Sequence, residues 1–387
     1  MDRFTLSQLK GHKAIVWRSS LCLLSLLIVI PRGWVSAWAW EKDLRWFYIL
    51  LIAFFVSSLL TPIASYISKR FSVLDIPTKR KMHDVPIPRL GGLAVYFGVL
   101  VTLVRNFVWT KELIGLLSGA TLIYLMGVVE DVRGLSARTR LWGQIAASAI
   151  VIYSGICVSF FQHTSSMHLI DMLLTTVWLV GITNAINFLD GIDGLAVGMG
   201  TVCSLLFVLI AWPERQGQLA YAAAALAGAC LGFIPYNWHK AKIFLGDAGA
   251  TFIGFMLAGL AVMGSWASHH PIVDLSSPVL ILGIPIFDMV YTTLSRIRRR
   301  DVRSFKQWLE YTGKDHFHHR LIHLGMTVRQ AVWFILLVNL ALGLNALNIR
   351  YTASLFGSLL LVSQAFVLFI IIVVLMLLGR EITPQRR

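Results

Sequence analysis

Apolar runs long enough to cross a bilayer recur along the whole chain, and short polar loops separate them. A membrane-spanning helix needs about 20 mostly apolar residues. Twelve such runs are read, at 14–38, 46–67, 90–108, 113–129, 141–161, 169–186, 194–212, 218–236, 249–265, 277–295, 328–347 and 352–378. The pattern predicts an all-α polytopic membrane helix bundle, with about eleven transmembrane helices plus an N-terminal hydrophobic segment. That first segment carries Arg18, Pro31 and Arg32, and it reads equally as an interfacial or half-buried helix. No small-residue cleavage site follows a short apolar core, so it does not read as a signal peptide. The expected organisation is an N-terminal segment (1–45), one polytopic domain (46–378) and a basic tail (379–387). The longest polar loop, 296–327, is too short to be a separate domain.

Composition agrees with the hydrophobic pattern. The 387 residues are 57% hydrophobic and 14% charged, with a mean hydropathy of +0.73. A soluble domain carries about 25% charged residues. The four cysteines (22, 157, 203, 230) all fall within apolar runs and form no CxxC pair. They read as packing residues.

The net charge of +15 invites a nucleic-acid reading, but the positions of the charges exclude it. With a cytoplasmic N-terminus, 25 of the 34 Lys and Arg fall in inside segments and 5 in outside loops. That split is a positive-inside signal. There is no basic stripe with interleaved aromatics, so no nucleic-acid partner is expected. The charge reads as topology, with added attraction to membrane lipids or phosphate. Both termini are then cytoplasmic.

Under this topology every polar motif lies on the cytoplasmic side. The loops are DIPTKRKMHDVPIPRLGG (75–92), EDVRGLSARTR (130–140), NFLDGIDG (187–194), WHKAKIFLGDAG (238–249) and 296–325. A transporter, the alternative from another class, needs polar groups through the membrane depth. Asp171 and Asp288 are its best candidates. Gathering the polar groups at one face favours an enzyme at the interface.

The loops carry chemistry that can be read residue by residue. Adjacent Glu130 and Asp131 resist sharing a site unless a cation separates them; a solvated helix end is the alternative. Asp190 and Asp193 would share a face if the helix continued, whereas Gly191 and Gly194 also allow a turn close to a ligand. Asn184 and Asn187, one helical turn apart, either orient these carboxylates or bind a base edge, or else pair between helices. Asp247, between Gly246 and Gly249, suits a hard cation such as Mg²⁺ or caps the next helix. In DHFHHRL, His316, His318, His319 and Arg320 suit an anionic phosphate. A zinc site lacks a second ligand cluster. Lys81 and His83 read as phosphate contacts or as topology-setting charge. Acids to hold Mg²⁺ and basic groups to hold pyrophosphate together describe phosphoryl transfer.

Five ordered motifs then resemble a known family, the polyprenyl-phosphate N-acetylhexosamine-1-phosphate transferases (glycosyltransferase family 4). They are DIPTKRKMHDVPIPRLGG, GVVEDVRGLSARTR, NAINFLDGIDGLAVG, FLGDAGATFIG and DHFHHRL, and they span about residues 46–345. The HFHH form is similar to the branch that uses UDP-GlcNAc. The resemblance implies transfer of GlcNAc-1-phosphate from UDP-GlcNAc to undecaprenyl phosphate, with release of UMP, in the bacterial cytoplasmic (inner) membrane. The product starts a cell-surface glycan. It implies Mg²⁺, with Mn²⁺ as its substitute, and it makes a homodimer plausible. By motif, Glu130, Asp131, Asp190 and Asp193 are implied to be catalytic, with Asp247 and Asp131 as metal ligands. Asn184, Asn187, Asn237, His316, His318, His319 and Arg320 are implied to bind the nucleotide sugar, and Lys81 and His83 the lipid phosphate. One departure stands out: the family usually carries two Asp where this chain has Glu130 and Asp131. A phosphate monoester is already mostly anionic at neutral pH. The pair is therefore expected to position lipid phosphate and metal without forming a covalent intermediate.

Overall fold

The computed structural model describes residues 34–77, 85–106, 109–158, 165–264, 271–304, 307, 311, 313, 315–351 and 355–381. Most of the first predicted span, together with Lys81 and His83, lies outside the described residues.

The described chain is a helix bundle, as the apolar runs require. Its helices are α1 (Trp34–Glu41), α2 (Arg45–Arg70), α3 (Gly92–Arg105), α4 (Lys111–Arg133), α5 (Ala137–Tyr153), α6 (Ser165–Leu189) and α7 (Leu195–Ala211). They continue with α8 (Gly217–Asn237), α9 (Gly246–Met263), α10 (Pro271–Ile281), α11 (Gly283–Arg298), α12 (Phe317–His323), α13 (Val328–Tyr351) and α14 (Leu355–Glu381). Among the described residues, seven helices are long and apolar enough to cross a membrane: α2, α4, α6, α8, α9, α13 and α14. The apolar helices α3 and α7 are shorter.

Helix α9 sits at the centre and packs against α3, α4, α6, α7 and α8. Its small residues make this possible, because without bulky side chains the helix backbones approach closely. At Gly249 the α9 backbone lies directly against Gly92 of α3, where a Cβ on Gly92 would collide with Gly249. This close approach fixes the first turn of α9, and therefore Asp247, against the start of α3.

The predicted span 277–295 is corrected to two helices, α10 and α11, that break at Leu282. The cause is Pro285. Proline has no N–H, so the carbonyl of Ile281, four residues earlier, loses its helical donor. Asn339 Nδ2 of α13 replaces it at 3.1 Å, and Cys203 Sγ of α7 adds a contact at 3.2 Å.

A two-stranded antiparallel ribbon completes the described structure. Strand β1 (Leu74–Asp75) pairs with β2 (Ile87–Pro88), Leu74 opposite Pro88 and Asp75 opposite Ile87. The segment before α9 docks onto β2. Phe244 N donates to Pro88 O at 2.8 Å, and Gly91 N and Gly92 N donate to Phe244 O and Leu245 O at 3.0 and 2.8 Å. Two motifs more than 150 residues apart in sequence are thus stitched together by backbone bonds.

Candidate active site

The ends of α2, α4, α6 and α8 and the starts of α3, α7 and α9 meet at one end of the bundle. Asp247, in the first turn of α9, is the hub. Asn187 Nδ2 at the end of α6 donates to Asp247 Oδ1 at 3.2 Å. Arg89 Nη2, just past β2, donates to Asp247 Oδ2 at 3.1 Å. The backbone N–H of Arg89 is held in turn by Ser68 Oγ at 3.1 Å.

Asp131 supports this hub from α4. Its oxygens accept the backbone N–H groups of Asp247 and Ala248, each at 3.1 Å, and Arg89 Nη2 lies 3.2 Å from its Oδ1. The side chain is fully buried. A carboxylate on the open N–H groups of a first helical turn is favourable by hydrogen bonding and by the helix dipole. The approach also needs Gly246. Its φ of +75° favours glycine, and a Cβ there would collide with Arg89 O and crowd Asp131 Oδ2. Asp131, expected as a metal ligand and catalytic acid, holds Asp247 and Arg89 in register through its engaged oxygens.

Glu130, next to it, turns the other way and pairs with Arg140 Nη1 of α5 at 2.8 Å. It remains half-buried. Asp190 and Asp193 lie in the turn between α6 and α7. Asp193 Oδ2 accepts the backbone N–H of Ala241 at 3.0 Å and lies 3.5 Å from His239 Nδ1, so it fastens this turn to the loop before α9. Asp190 is only part-covered at its surface, and among the described residues its carboxylate has no hydrogen-bond donor. Dense protein around it, then the negative charges of Asp247 and Asp131, raise its pKa well above the ordinary carboxylate value, against the pull of Arg89. Asp190 is therefore the acid with the most to gain from a cation.

The three asparagines divide. Asn187 reaches Asp247. Asn184 instead exchanges amide hydrogen bonds with Gln144 of α5, at 2.9 and 3.2 Å. This is the inter-helix pairing left open by the sequence. Asn237, 2% exposed, accepts from Gly194 N at 3.1 Å and donates to Ile243 O at 3.0 Å. It joins two site loops from within.

The histidine motif splits in the same way. His316 is buried, with Nδ1 2.7 Å from Asp288 Oδ2 and Nε2 3.2 Å from Arg296 Nη2. Its ring stacks on Phe188, with centroids 5.1 Å apart. Asp288 also accepts the N–H of Phe317 at 2.7 Å. Arg296 holds Asp315 with two hydrogen bonds, at 2.9 and 2.6 Å. Burial pushes the Asp315 pKa up, but the Arg296 hydrogen bonds and charge outweigh it and leave it below the usual value. Arg320 is buried and donates to Asp315 O and Met376 O, each at 2.9 Å. It anchors the motif to α14. Gly191 packs on His318, where an added Cβ would lie 2.5 Å from Nε2. His318 is fully buried, and its nitrogens have no partner among the described residues. Burial, then the neighbours His319 and His316, hold its pKa well below the ordinary value. Both effects favour the neutral form of the ring. His319 is half-buried beside it, with ring centroids 4.2 Å apart.

Sequence reasoning missed Arg89, Gln144, Arg296 and Asp315 as parts of this end. It weighed Asp288 as a transporter residue; here that acid is spent on His316 and Phe317.

Among the described residues no three His, Cys, Asp or Glu converge as metal ligands. Asp190 and Asp247 are hard oxygen donors whose charges act on each other, and Asn187 donates to Asp247. That donor set fits Mg²⁺, which takes one or two carboxylates and leaves room for water and phosphate oxygens. It does not fit Zn²⁺, since His316 faces Asp288 and His318 is enclosed.

The description of glycosyl transferase family 4 matches residues 113–265, which include Glu130, Asp131, Asp190, Asp193 and Asp247. A Bacillus subtilis (strain 168) protein, named a probable undecaprenyl-phosphate N-acetylglucosaminyl 1-phosphate transferase, is 32% identical over 344 residues, covering 86% of this chain and 92% of its own. The decaprenyl-phosphate N-acetylglucosaminephosphotransferase of Mycobacterium leprae (strain TN) is 31% identical over 342 residues, covering 78% and 82%. The undecaprenyl-phosphate alpha-N-acetylglucosaminyl 1-phosphate transferase of Escherichia coli (strain K12) is 28% identical over 309 residues, covering 77% and 81%. This polytopic chain belongs to glycosyl transferase family 4.

Proposed function

We propose that the chain transfers N-acetylglucosamine-1-phosphate from UDP-GlcNAc to undecaprenyl phosphate, giving undecaprenyl-diphospho-GlcNAc and UMP. The observation that carries this reading is the acid cluster of Asp131, Asp190 and Asp247 at one end of the bundle, inside the segment that matches glycosyl transferase family 4. An oxygen of the lipid phosphate forms a bond to the β-phosphorus of the donor. The bond from that phosphorus to the oxygen bridging to the α-phosphate breaks, and UMP leaves.

Asp190 and Asp247 hold Mg²⁺ in this reading, with Asn187 orienting Asp247. An ion held there would supply positive charge for the diphosphate oxygens. Asp131 keeps Asp247 fixed through the first turn of α9, so little reorganisation is needed during reaction. Arg89 is a guanidinium suited to phosphate oxygens. Glu130, paired with Arg140, borders the same cluster and positions the lipid phosphate, with no covalent intermediate. His319, half-buried beside the enclosed His318, contributes a hydrogen-bond donor to the phosphates of the nucleotide sugar, and Lys81 and His83 contact the lipid phosphate. The apolar helices give the polyprenyl chain a lipid-facing surface. The positive-inside charge split supports a cytoplasmic-face site in the bacterial inner membrane, with both termini cytoplasmic.

The test is UMP release by purified protein with Mg²⁺, undecaprenyl phosphate and a panel of UDP-sugars. Release that requires the lipid and UDP-GlcNAc together supports the proposal. Release without lipid, or only with another sugar, overturns it.

A further inference from the structure

We propose that a cavity at the opposite end of the bundle binds the phosphate of an anionic phospholipid headgroup. The cavity has a volume of about 600 Å³ and is lined by Arg45, Trp109, Glu112, Arg215, Gln218 and Tyr221, among others. These residues lie at or near the starts of α2, α4 and α8, whose other ends build the acid cluster. Helix α4 alone, at 23 residues, separates the two regions by about 34 Å, so the cavity is no part of the transfer site.

Its chemistry is that of a held cation beside open donors. The Arg45 guanidinium is clamped between two rings, 4.3 Å from the centroid of Trp40 and 4.7 Å from that of Tyr221. One of its nitrogens, Nη2, donates to Asn106 O at 2.7 Å. Such clamping fixes the guanidinium in place while its other N–H groups remain available for phosphate. Arg215 adds a second, exposed cation. Gln216, the residue before α8, gives no side-chain cap, so the N–H groups of the first turn add positive potential. Glu112 offers the opposite character, an acceptor for hydroxyls.

The surroundings select a lipid over a free anion. Trp46 and Trp212 lie 6.5 Å apart, and Trp212 and Tyr221 6.4 Å apart. Trp40 and Trp109 are exposed. Tryptophan and tyrosine gather where a bilayer meets water, at the depth of lipid headgroups. Two cations, one hydroxyl acceptor and an aromatic rim match a phosphate diester with a glycerol head.

The test uses the purified full chain in detergent, titrated with phosphatidylglycerol or phosphatidylcholine and read by native mass spectrometry. Selective retention of phosphatidylglycerol is expected. Arg215→Gln should weaken it by about tenfold, as loss of one charge-assisted contact does. Because Arg45 also ties α2 to Asn106, the Arg215 variant serves as the main probe. Transferase turnover of Arg215→Gln in detergent should be unchanged, which separates this site from the active site. Equal retention of both lipids, or no effect of Arg215→Gln, overturns the proposal. Full competition by soluble glycerol 3-phosphate at matched concentration overturns the lipid assignment.

Discussion

Nη2 of Arg89 lies 3.1 Å from Oδ2 of Asp247, and the same nitrogen lies 3.2 Å from Oδ1 of Asp131. One guanidinium nitrogen therefore sits between two of the acids in the cluster. Removing it leaves these carboxylates facing each other with less compensation. Arg89→Gln is expected to lower kcat/KM at least about tenfold, since a partly buried charge contact is lost. The Mg²⁺ concentration for half-maximal activity should fall, because a competing positive charge is gone. A Mg²⁺ titration of the purified variant checks both; a rise in the Mg²⁺ requirement would count against the placement of Arg89.

Asp247 and Asp131 should separate in their effects. Asp247→Asn removes a charge proposed to act on the reacting phosphates, so kcat should fall about 10²–10³-fold while the thermal midpoint stays near that of the parent. Asp131→Asn replaces one acceptor by an NH₂ group facing a buried backbone donor. That costs about 1–3 kcal/mol and lowers both stability and kcat. Parallel melting and turnover measurements distinguish them; equal destabilisation by both variants would contradict the division.

Asn184 is expected to matter for packing. Asn184→Leu leaves Gln144 with an unpaired amide within the bundle and should lower stability. The paired change with Gln144→Leu should recover part of that loss in a double-mutant cycle. The KM for UDP-GlcNAc should move by less than about twofold, since independent sites do not couple. A large KM change without loss of stability would restore the nucleotide role.

The Arg296–Asp315 pair predicts a pH dependence. The folded-state pKa of Asp315 is below its ordinary value, so ionised Asp315 stabilises the fold. That contribution is complete above the unfolded value of about 3.9 and is lost as pH falls through the lower folded value. Asp315→Asn should therefore melt below the parent by a constant margin at neutral and mildly acidic pH. The margin should close below about pH 4. A margin that closes near neutrality would contradict the pairing.

The bundle was legible because hydropathy reports directly on membrane burial. The site loops were legible because charge placement set them on one face. What the sequence hid were pairings. Arg89 was one cation in a basic motif, and nothing local shows that Ser68 and β2 aim it at Asp247. Nothing local shows that the amide of Asn184 pairs with Gln144, forty positions away. Asp288 read as a lone acid inside an apolar run, yet it receives His316 and Phe317 from 28 and 29 residues on. The break at Leu282 did have a signal, Pro285, whose missing N–H frees Ile281; its repair by Asn339 depends on tertiary packing.

The most direct test of the central claim follows the β-phosphorus of the donor. Purified protein is given Mg²⁺, undecaprenyl phosphate and UDP-GlcNAc labelled at that atom, and the lipid and water phases are separated. The proposed reaction moves the label into the lipid phase and leaves unlabelled UMP in water. Label remaining in water as UDP, with GlcNAc alone on the lipid, would contradict the account.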